Sequence, residues 1–182
     1  MWSTNDVQLR HAILGLLSIE PQSGYDLGRA FARSVGHFWH ADQSQIYRTL
    51  DQMDSQGIIT TETIVQSGRP DRRVHSLTSI GRDELDAWLR SAQEEERPKE
   101  PFLARLFFAG SLGVDGVTRL LAERECVVAA TLERLRSISE PEGDLDAELR
   151  AATLRSGITA AEAELAWLAD TRRRVAAYET GA

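Results

Sequence analysis

Three arginines lie close together in the stretch GRPDRRVHSL at residues 68–77. Arg69, Arg72 and Arg73 surround a Pro-Asp pair, in which Pro70 suits the second position of a type I turn. The planar guanidinium group carries five N–H donors that match phosphate oxygens. The chain as a whole is acidic, with 21 Lys and Arg against 28 Asp and Glu and a net charge of −7. The cluster therefore predicts a local anion site, with a solvated surface turn as the alternative.

A helix with two unlike faces is predicted within ADQSQIYRTLDQMDSQGII, residues 41–59. At 100° per residue, one face is apolar and consists of Ile46, Leu50 and Met53. The nearly opposite face is polar and consists of Ser44, Tyr47, Arg48 and Asp51. Such a helix can pack on a core while its polar side reads base edges in the DNA major groove.

The elements around these two features have a recognisable order. A first helix is predicted from Leu9, Ile13, Leu16 and Leu17, and a short second helix from SGYDLGRAFARSVG. Capping-box spacing marks the start of the second helix at Ser23 and that of the third at Asp42. After the third helix, IITTETIV and RVHSL predict two strands of a hairpin, because β-branched residues and alternation replace the helical period. Three helices followed by a hairpin predict a winged helix-turn-helix.

A fourth helix should follow the hairpin, capped by Thr78 and burying Leu85, Trp88 and Leu89. The charged stretch at 94–101 then reads as a linker between a winged domain (1–93) and a helical domain (102–182). The predicted fold class is therefore mainly α with a small β-hairpin. Its C-terminal part is an antiparallel helical dimerisation region, with long apolar stripes that need a partner. Gly157 either breaks the last helix or lies within it, and we expect a continuous helix.

Several function classes are disfavoured by the composition. Neither a nucleophile and base, nor a phosphate loop, nor a metal-ligand set is present, so we expect no enzyme, cofactor or metal. His37 and His40 have metal-like spacing but lack further ligands, and we expect them to pack a connection. A single cysteine, Cys126, fits a reducing cytoplasm and should be a buried, inert thiol. Without a long apolar run or a secretory leader, neither a membrane location nor export is expected.

Several motifs together resemble the PadR family of bacterial transcriptional regulators. They are GYDL at 24–27, QIYRTLDQM at 45–53, GRPDRRVHSLT at 68–78, GRDELDAWL at 81–89 and LRSGITAAEAELAWL at 154–168. The resemblance implies a homodimeric repressor that binds a pseudo-palindromic DNA operator and is released by a small molecule or stress signal. The residues that match its DNA-reading helix are Ser44, Gln45, Tyr47 and Arg48. Those that match its wing are Arg69, Arg72 and Arg73.

The resemblance also bears on the tryptophans. Aromatic residues near the dimer interface hold planar ligands in some relatives, so Trp88 and Trp167 are candidates for a small aromatic effector, with simple core packing as the alternative. Asp51 departs from a DNA-reading pattern, because a carboxylate there would repel phosphate. It should instead pair with Arg48 or accept a hydrogen bond from a cytosine amine. A winged-helix protein-interaction module without operator binding is the alternative function.

Overall fold

The computed structural model describes residues 4–31, 42–68, 71–92 and 100–178, the side chains of residues 4–8 excepted. The chain divides into two compact units, Met1–Glu94 and Glu95–Ala182. The elements of the first unit are α1 (Thr4–Ile19), β1 (Gln22–Ser23), α2 (Gly24–Ala30), α3 (Gln43–Ser55), β2 (Ile59–Ile64), β3 (Arg72–Leu77) and α4 (Ser79–Arg90). Those of the second are α5 (Pro101–Phe107), a 3-10 turn (Ala109–Leu112), α6 (Gly113–Arg136) and α7 (Leu145–Ala176).

The core of the first unit is formed by the predicted apolar helix faces. All four predicted residues of α1 are buried, and so are Ile46, Leu50 and Met53 of α3. Leu27 and Phe31 add the apolar side of α2, and Ile59 and Leu77 come from the strands. The two-faced prediction for α3 is therefore confirmed.

Hydrogen bonds to side chains mark the starts of α2 and α3, and a glycine marks the end of α3. The Asp26 N–H donates to Ser23 Oγ over 3.2 Å at the start of α2. The Asp42 N–H donates to Gln45 Oε1 over 3.1 Å at the start of α3. Gly57 follows α3 with φ of 69°, a left-handed conformation that glycine adopts without a Cβ penalty. These contacts fix where the exposed face of α3 begins and ends.

The strands form a three-stranded antiparallel sheet in the order β1-β3-β2. β2 and β3 form the predicted hairpin, with Ile59 opposite Leu77 and Ile64 opposite Arg72. The third strand, β1, was not predicted, because two residues are too short for a period and their partners lie about 50 positions away. β3 is consequently the central strand.

α4 is anchored to the sheet through a tight approach. Thr78 Oγ1 accepts from the Gly81 N–H at 3.2 Å and donates to the carbonyl oxygen of Ile58 at 2.8 Å. A Cβ on Gly81 would lie 2.4 Å from that same carbonyl oxygen, so only glycine fits. Leu85 is buried as predicted, but the burial predicted for Trp88 and Leu89 is wrong, since they are 40% and 65% exposed. Of the three apolar residues that were expected to face the core, only Leu85 reaches it.

The second unit is built on an antiparallel pair of long helices. Arg136 near the end of α6 pairs with Glu162, while Glu125 further back pairs with Arg172 further along α7. The buried cluster between the helices consists of Leu121, Val128, Leu132, Ala161 and Leu168. α7 runs without a break through Gly157, which confirms the continuous helix.

Two details of the second unit differ from expectation. The Cys126 side chain is exposed rather than buried, because it lies on the side of α6 that turns away from Val128 and the cluster. Pro101, assigned to the linker, is the first residue of α5, where proline has no hydrogen bond to lose. The remainder of the linker lies largely outside the described residues, as do His37 and His40. Among the described residues, no helix is long and apolar enough to span a bilayer.

Candidate nucleic-acid interface

The exposed face of α3 presents the predicted polar side chains. Ser44, Tyr47 and Arg48 are exposed, and they lie opposite the buried apolar side. Arg48 makes no hydrogen bond or ion pair with any described residue. None of its five N–H donors is therefore taken up by a described residue.

Gln45 differs from Ser44, Tyr47 and Arg48 because its side chain already accepts a hydrogen bond at the start of α3. Its side-chain oxygen accepts the Asp42 N–H at 3.1 Å, and the residue is half-buried. That hydrogen bond satisfies a donor at the start of α3, which no carbonyl of the helix can reach. The residue thus positions the first turn of α3.

Tyr47 rests on the backbone of α2. A Cβ on Gly24 would lie 2.4 Å from Tyr47 Cε1, so the ring occupies the space that a side chain there would need. The Tyr47 hydroxyl lies 3.5 Å from Gln43 Nε2, and the side chain is still 44% exposed. Tyr47 therefore belongs to the exposed face of α3, and its ring also packs against the backbone of α2 at Gly24.

The described wing arginines lie in the strand and not at the tip of the hairpin. Arg72 and Arg73 are the first two residues of β3, opposite Ile64 and Thr63 of β2. Arg69 falls outside the described residues. Arg73 begins the predicted strand RVHSL, and Arg72 extends that strand by one residue.

Each of these two arginines is paired with a carboxylate from a helix. Arg72 Nη2 donates to Asp26 Oδ2 of α2 over 2.7 Å. Arg73 Nη1 donates to Asp51 Oδ1 of α3 over 3.1 Å, so the predicted pairing of Asp51 with Arg48 is wrong. The hydrogen bond from Ser23, followed by that from Arg72, lowers the pKa of Asp26, and this carboxylate stays ionised near neutral pH.

These pairs line a cleft of about 490 Å³ between the two helices and the hairpin. Its charged lining consists of Asp26, Asp51, Asp71, Arg72 and Arg73. His75 of β3 also borders the cleft, is almost fully buried and lies with Nδ1 3.0 Å from Thr61 Oγ1. Burial, followed by the nearby charge of Arg73, lowers the pKa of His75 and keeps it neutral near pH 7.

Sequence reasoning missed Asp26 and His75 as members of this site. In the sequence, Asp26 stands out only by its capping-box spacing from Ser23, and its partner Arg72 lies 46 positions away. The alternation of β3 places His75 on the same side as Arg73 and Leu77, which is the signal that could have found it.

The two candidate effector tryptophans belong to different units and have different neighbours. Trp88 stacks on His11 with ring centroids 4.9 Å apart and an angle of 5°. Trp167 meets Phe102 edge to face at 6.3 Å. Each is 40% exposed, so neither is a pure core residue. No cluster of metal-ligating side chains occurs among the described residues.

Known proteins similar to this chain are regulators of transcription. A probable transcriptional regulator of Mycobacterium tuberculosis is 33% identical over 88% of this chain and 93% of its own length. The negative transcriptional regulator PadR of Bacillus subtilis is 33% identical over 73% of this chain and 78% of its own length. A crystal structure of B. subtilis PadR with operator DNA matches 92% of this chain and 98% of its own, with TM-score 0.77 and 28% identity.

A further structure of B. subtilis PadR, with p-coumaric acid, matches the same share of both chains with TM-score 0.75 and 28% identity.

The winged fold, the polar helix and these relatives define a DNA-binding transcriptional regulator and not an enzyme. The model of the PadR-like family of transcriptional regulators matches residues 13–87, and that of the virulence activator alpha C-terminal region matches 98–176. The chain belongs to the PadR-like family.

Proposed function

We propose that this chain is a homodimeric repressor that binds a pseudo-palindromic operator and leaves it when a small molecule or stress signal acts. Residues 1–93 bind DNA, 94–101 link the parts and 102–182 form the dimer, and the protein acts in the cytoplasm, where its operator lies. B. subtilis PadR is described as a negative regulator and has been solved with operator DNA and with p-coumaric acid, which supports both binding steps.

The observation that carries the proposal is the unpaired arginine on the exposed face of α3. Arg48 has no partner among the described residues, and arginine donating to guanine O6 and N7 is the commonest specific contact in the major groove. Ser44, Gln45 and Tyr47 complete the reading surface. The wing residues Arg69, Arg72 and Arg73 bind phosphate and sugar, which orients the domain without reading sequence.

Exposed apolar side chains of the second unit support the homodimer. Phe107 and Phe108 are 83% and 75% exposed, and Leu145 is 72% exposed. Phe108 also lines a largely apolar groove of about 600 Å³ with Leu112 and Leu120. Large apolar surfaces of this kind mark interaction sites, and two-fold symmetry matches a pseudo-palindromic operator.

The effector in this proposal is a small aromatic molecule that contacts Trp88 or Trp167. Each tryptophan leaves part of its ring exposed beside another aromatic ring, an arrangement that favours stacking of a planar ligand. The two substitutions Trp88→Phe and Trp167→Phe, made separately, assign the contact by the loss of fluorescence quenching on addition of p-coumaric acid.

The operator proposal is tested by fluorescence anisotropy with duplexes from the region upstream of the chain's own gene and with random duplexes. Arg48→Ala should reduce the preference for the operator by roughly tenfold or more, since a good base contact contributes about 1–3 kcal/mol. Arg90→Ala is the matched control, because the one ion pair of this exposed α4 arginine among the described residues is with Asp86 one turn away. Equal binding of both duplexes by the wild type would favour a protein-interaction module.

A further inference from the structure

The outer side of α2 carries a tyrosine and an arginine that belong neither to α3 nor to the wing. Tyr25 is 60% exposed, and Arg29 is exposed one turn further along the helix. Arg29 Cζ lies 6.0 Å from the centroid of the Tyr25 ring, at the outer limit of a cation–π contact. Arg29 makes no hydrogen bond or ion pair with any described residue. The two side chains therefore form one surface feature, in which no described residue takes up the guanidinium donors.

The position of this pair around α2 places it beside the exposed face of α3. Gly24 faces α3, since a Cβ there would meet the Tyr47 ring, and Asp26 faces the hairpin, since its carboxylate pairs with β3. At about 100° per residue, Tyr25 and Arg29 point between these two directions. Tyr25 accordingly lines the cleft between the two helices and the hairpin, together with Tyr47.

The surroundings of Arg29 leave its guanidinium group able to bind an oxygen anion. The carboxylate of Asp26, one turn earlier, accepts from Ser23 Oγ at 2.6 Å and from Arg72 at 2.7 Å, and it does not pair with Arg29. The Tyr25 ring attracts the guanidinium group through the charge distribution of its face, and the N–H groups can still donate to oxygens. An exposed side chain held in this way loses less conformational entropy when it binds.

We propose that Arg29 donates to a DNA backbone phosphate beside the bases read by α3, and that the Tyr25 ring is a positioning residue for its guanidinium group. This rests on the proposed function, in which α3 lies in the major groove. The groove is about 12 Å wide and an α-helix with its side chains is about 10–12 Å across, so α3 fills it. The outer side of α2 then faces the sugar-phosphate backbone at the edge of the groove. Such a contact adds affinity and fixes the register of the domain, and it carries no sequence information.

The test measures fluorescence anisotropy of full-length variants with operator and random duplexes at several salt concentrations. Arg29→Ala should weaken binding to both duplexes by similar factors of about tenfold, because a hydrogen bond to a charged group is lost in each protomer. The slope of log affinity against log salt should become shallower by about 1.8 for a dimer, at roughly 0.9 for each phosphate. Arg29→Lys keeps the charge and should keep the slope.

The positioning role of Tyr25 is separated by two substitutions. Tyr25→Phe keeps the ring and should bind as the wild type does. Tyr25→Leu removes the ring and should weaken binding to both duplexes, by less than Arg29→Ala. In the Arg29→Ala background, Tyr25→Leu should have no further effect, because the ring acts through the arginine. An undiminished effect of Tyr25→Leu in that background would overturn the positioning role.

Arg82→Ala is the matched control, because this exposed α4 arginine also makes no side-chain hydrogen bond or ion pair with a described residue and lies outside α2, α3 and the hairpin. Equal affinities and salt slopes of Arg29→Ala and Arg82→Ala would overturn the inference, while the proposed function would stand on the effect of Arg48→Ala. A loss confined to the operator would also overturn it, since Arg29 would then read a base. A wild type without operator preference would overturn both.

Discussion

Tyr47 shows how one side chain of the proposed reading surface depends on a residue in another helix. Its ring lies on Gly24, where a Cβ would come within 2.4 Å of Cε1. The ring therefore takes its direction from the backbone of α2 and not only from the rotamers that α3 allows. Gly24 is an indirect part of the candidate interface, because it leaves room for the ring.

Gly24→Ala should displace Tyr47 and weaken operator preference. Overpacking of this kind costs typically 1–3 kcal/mol, so the free energy of unfolding measured in urea should fall by about that amount. Gly28→Ala is the matched control in the same helix. A Cβ there would meet only the flexible end of the Gln43 side chain at 3.3 Å, and alanine favours the helix. If both variants bind and unfold alike, Tyr47 is not held by Gly24.

Individual residues of the site were predictable only where periodicity governs them. The exposure of Tyr47 and Arg48 and the burial of Ile46 follow from the helical period, and the structure agrees. The partner of Asp51 does not follow from it, because Arg73 is 22 positions away across the hairpin turn. Local spacing suggested Arg48, which lies on the same helix, whereas the observed partner comes from β3. Helical periodicity carries no information about a contact between α3 and the hairpin.

At the scale of elements, the wing is the hairpin of β2 and β3. β3 is also the central strand of the three-stranded sheet, and both strands contribute residues to the core of the first unit. β3 pairs with β2 over its whole length and with the two-residue β1 on its other edge. The hairpin was predictable from β-branched residues and alternation, whereas β1 was not, because it has no period of its own. In the same way, the apolar sequence of α4 did not reveal that only Leu85 of its three predicted residues is buried.

His75 makes the stability of this sheet dependent on pH. Burial and Arg73 lower its pKa, against the weaker opposing charges of Asp54 and Asp51. As pH falls through about 6.5, the unfolded chain takes up a proton that folded His75 resists, so stability decreases. The free energy of unfolding should be greatest above that pH and fall towards pH 5, by no more than about 1.4 kcal/mol per pH unit for this group.

Urea titrations between pH 5 and 8 measure this dependence. His75→Gln should remove its share of the slope while keeping a side chain that can hydrogen bond to Thr61. Asp26 does not interfere, because its lowered pKa means that its contribution is lost only well below this range. A variant with the same slope as the wild type would show that His75 is not the titrating group.

At the scale of the whole molecule, the protein and DNA are both negatively charged, so their net charges repel each other. Two copies of a chain with net charge −7 carry twice that, or −14, so long-range attraction to DNA is absent. At physiological salt, charges beyond roughly 8 Å are screened, and the local arrangement of α3 and the wing decides binding. Weak single-domain contacts of this kind gain most from a second, linked domain, because the second contact forms at a high effective concentration.

The proposed dimer should therefore be needed for operator binding, and Phe108 tests it. Phe108→Asp places a charge in the apolar groove of the second unit, where a partner would have to desolvate it. Light scattering should give about twice the chain mass of 20.3 kDa for the wild type and about the single mass for the variant at micromolar concentration. Operator affinity should fall together with the mass. Ile80→Asp is the control, because Ile80 is 57% exposed and lies in α4 of the first unit, outside α3 and the wing. A Phe108→Asp variant that keeps the doubled mass would place the dimer contact elsewhere, and a wild type with a single mass would refute the dimer itself.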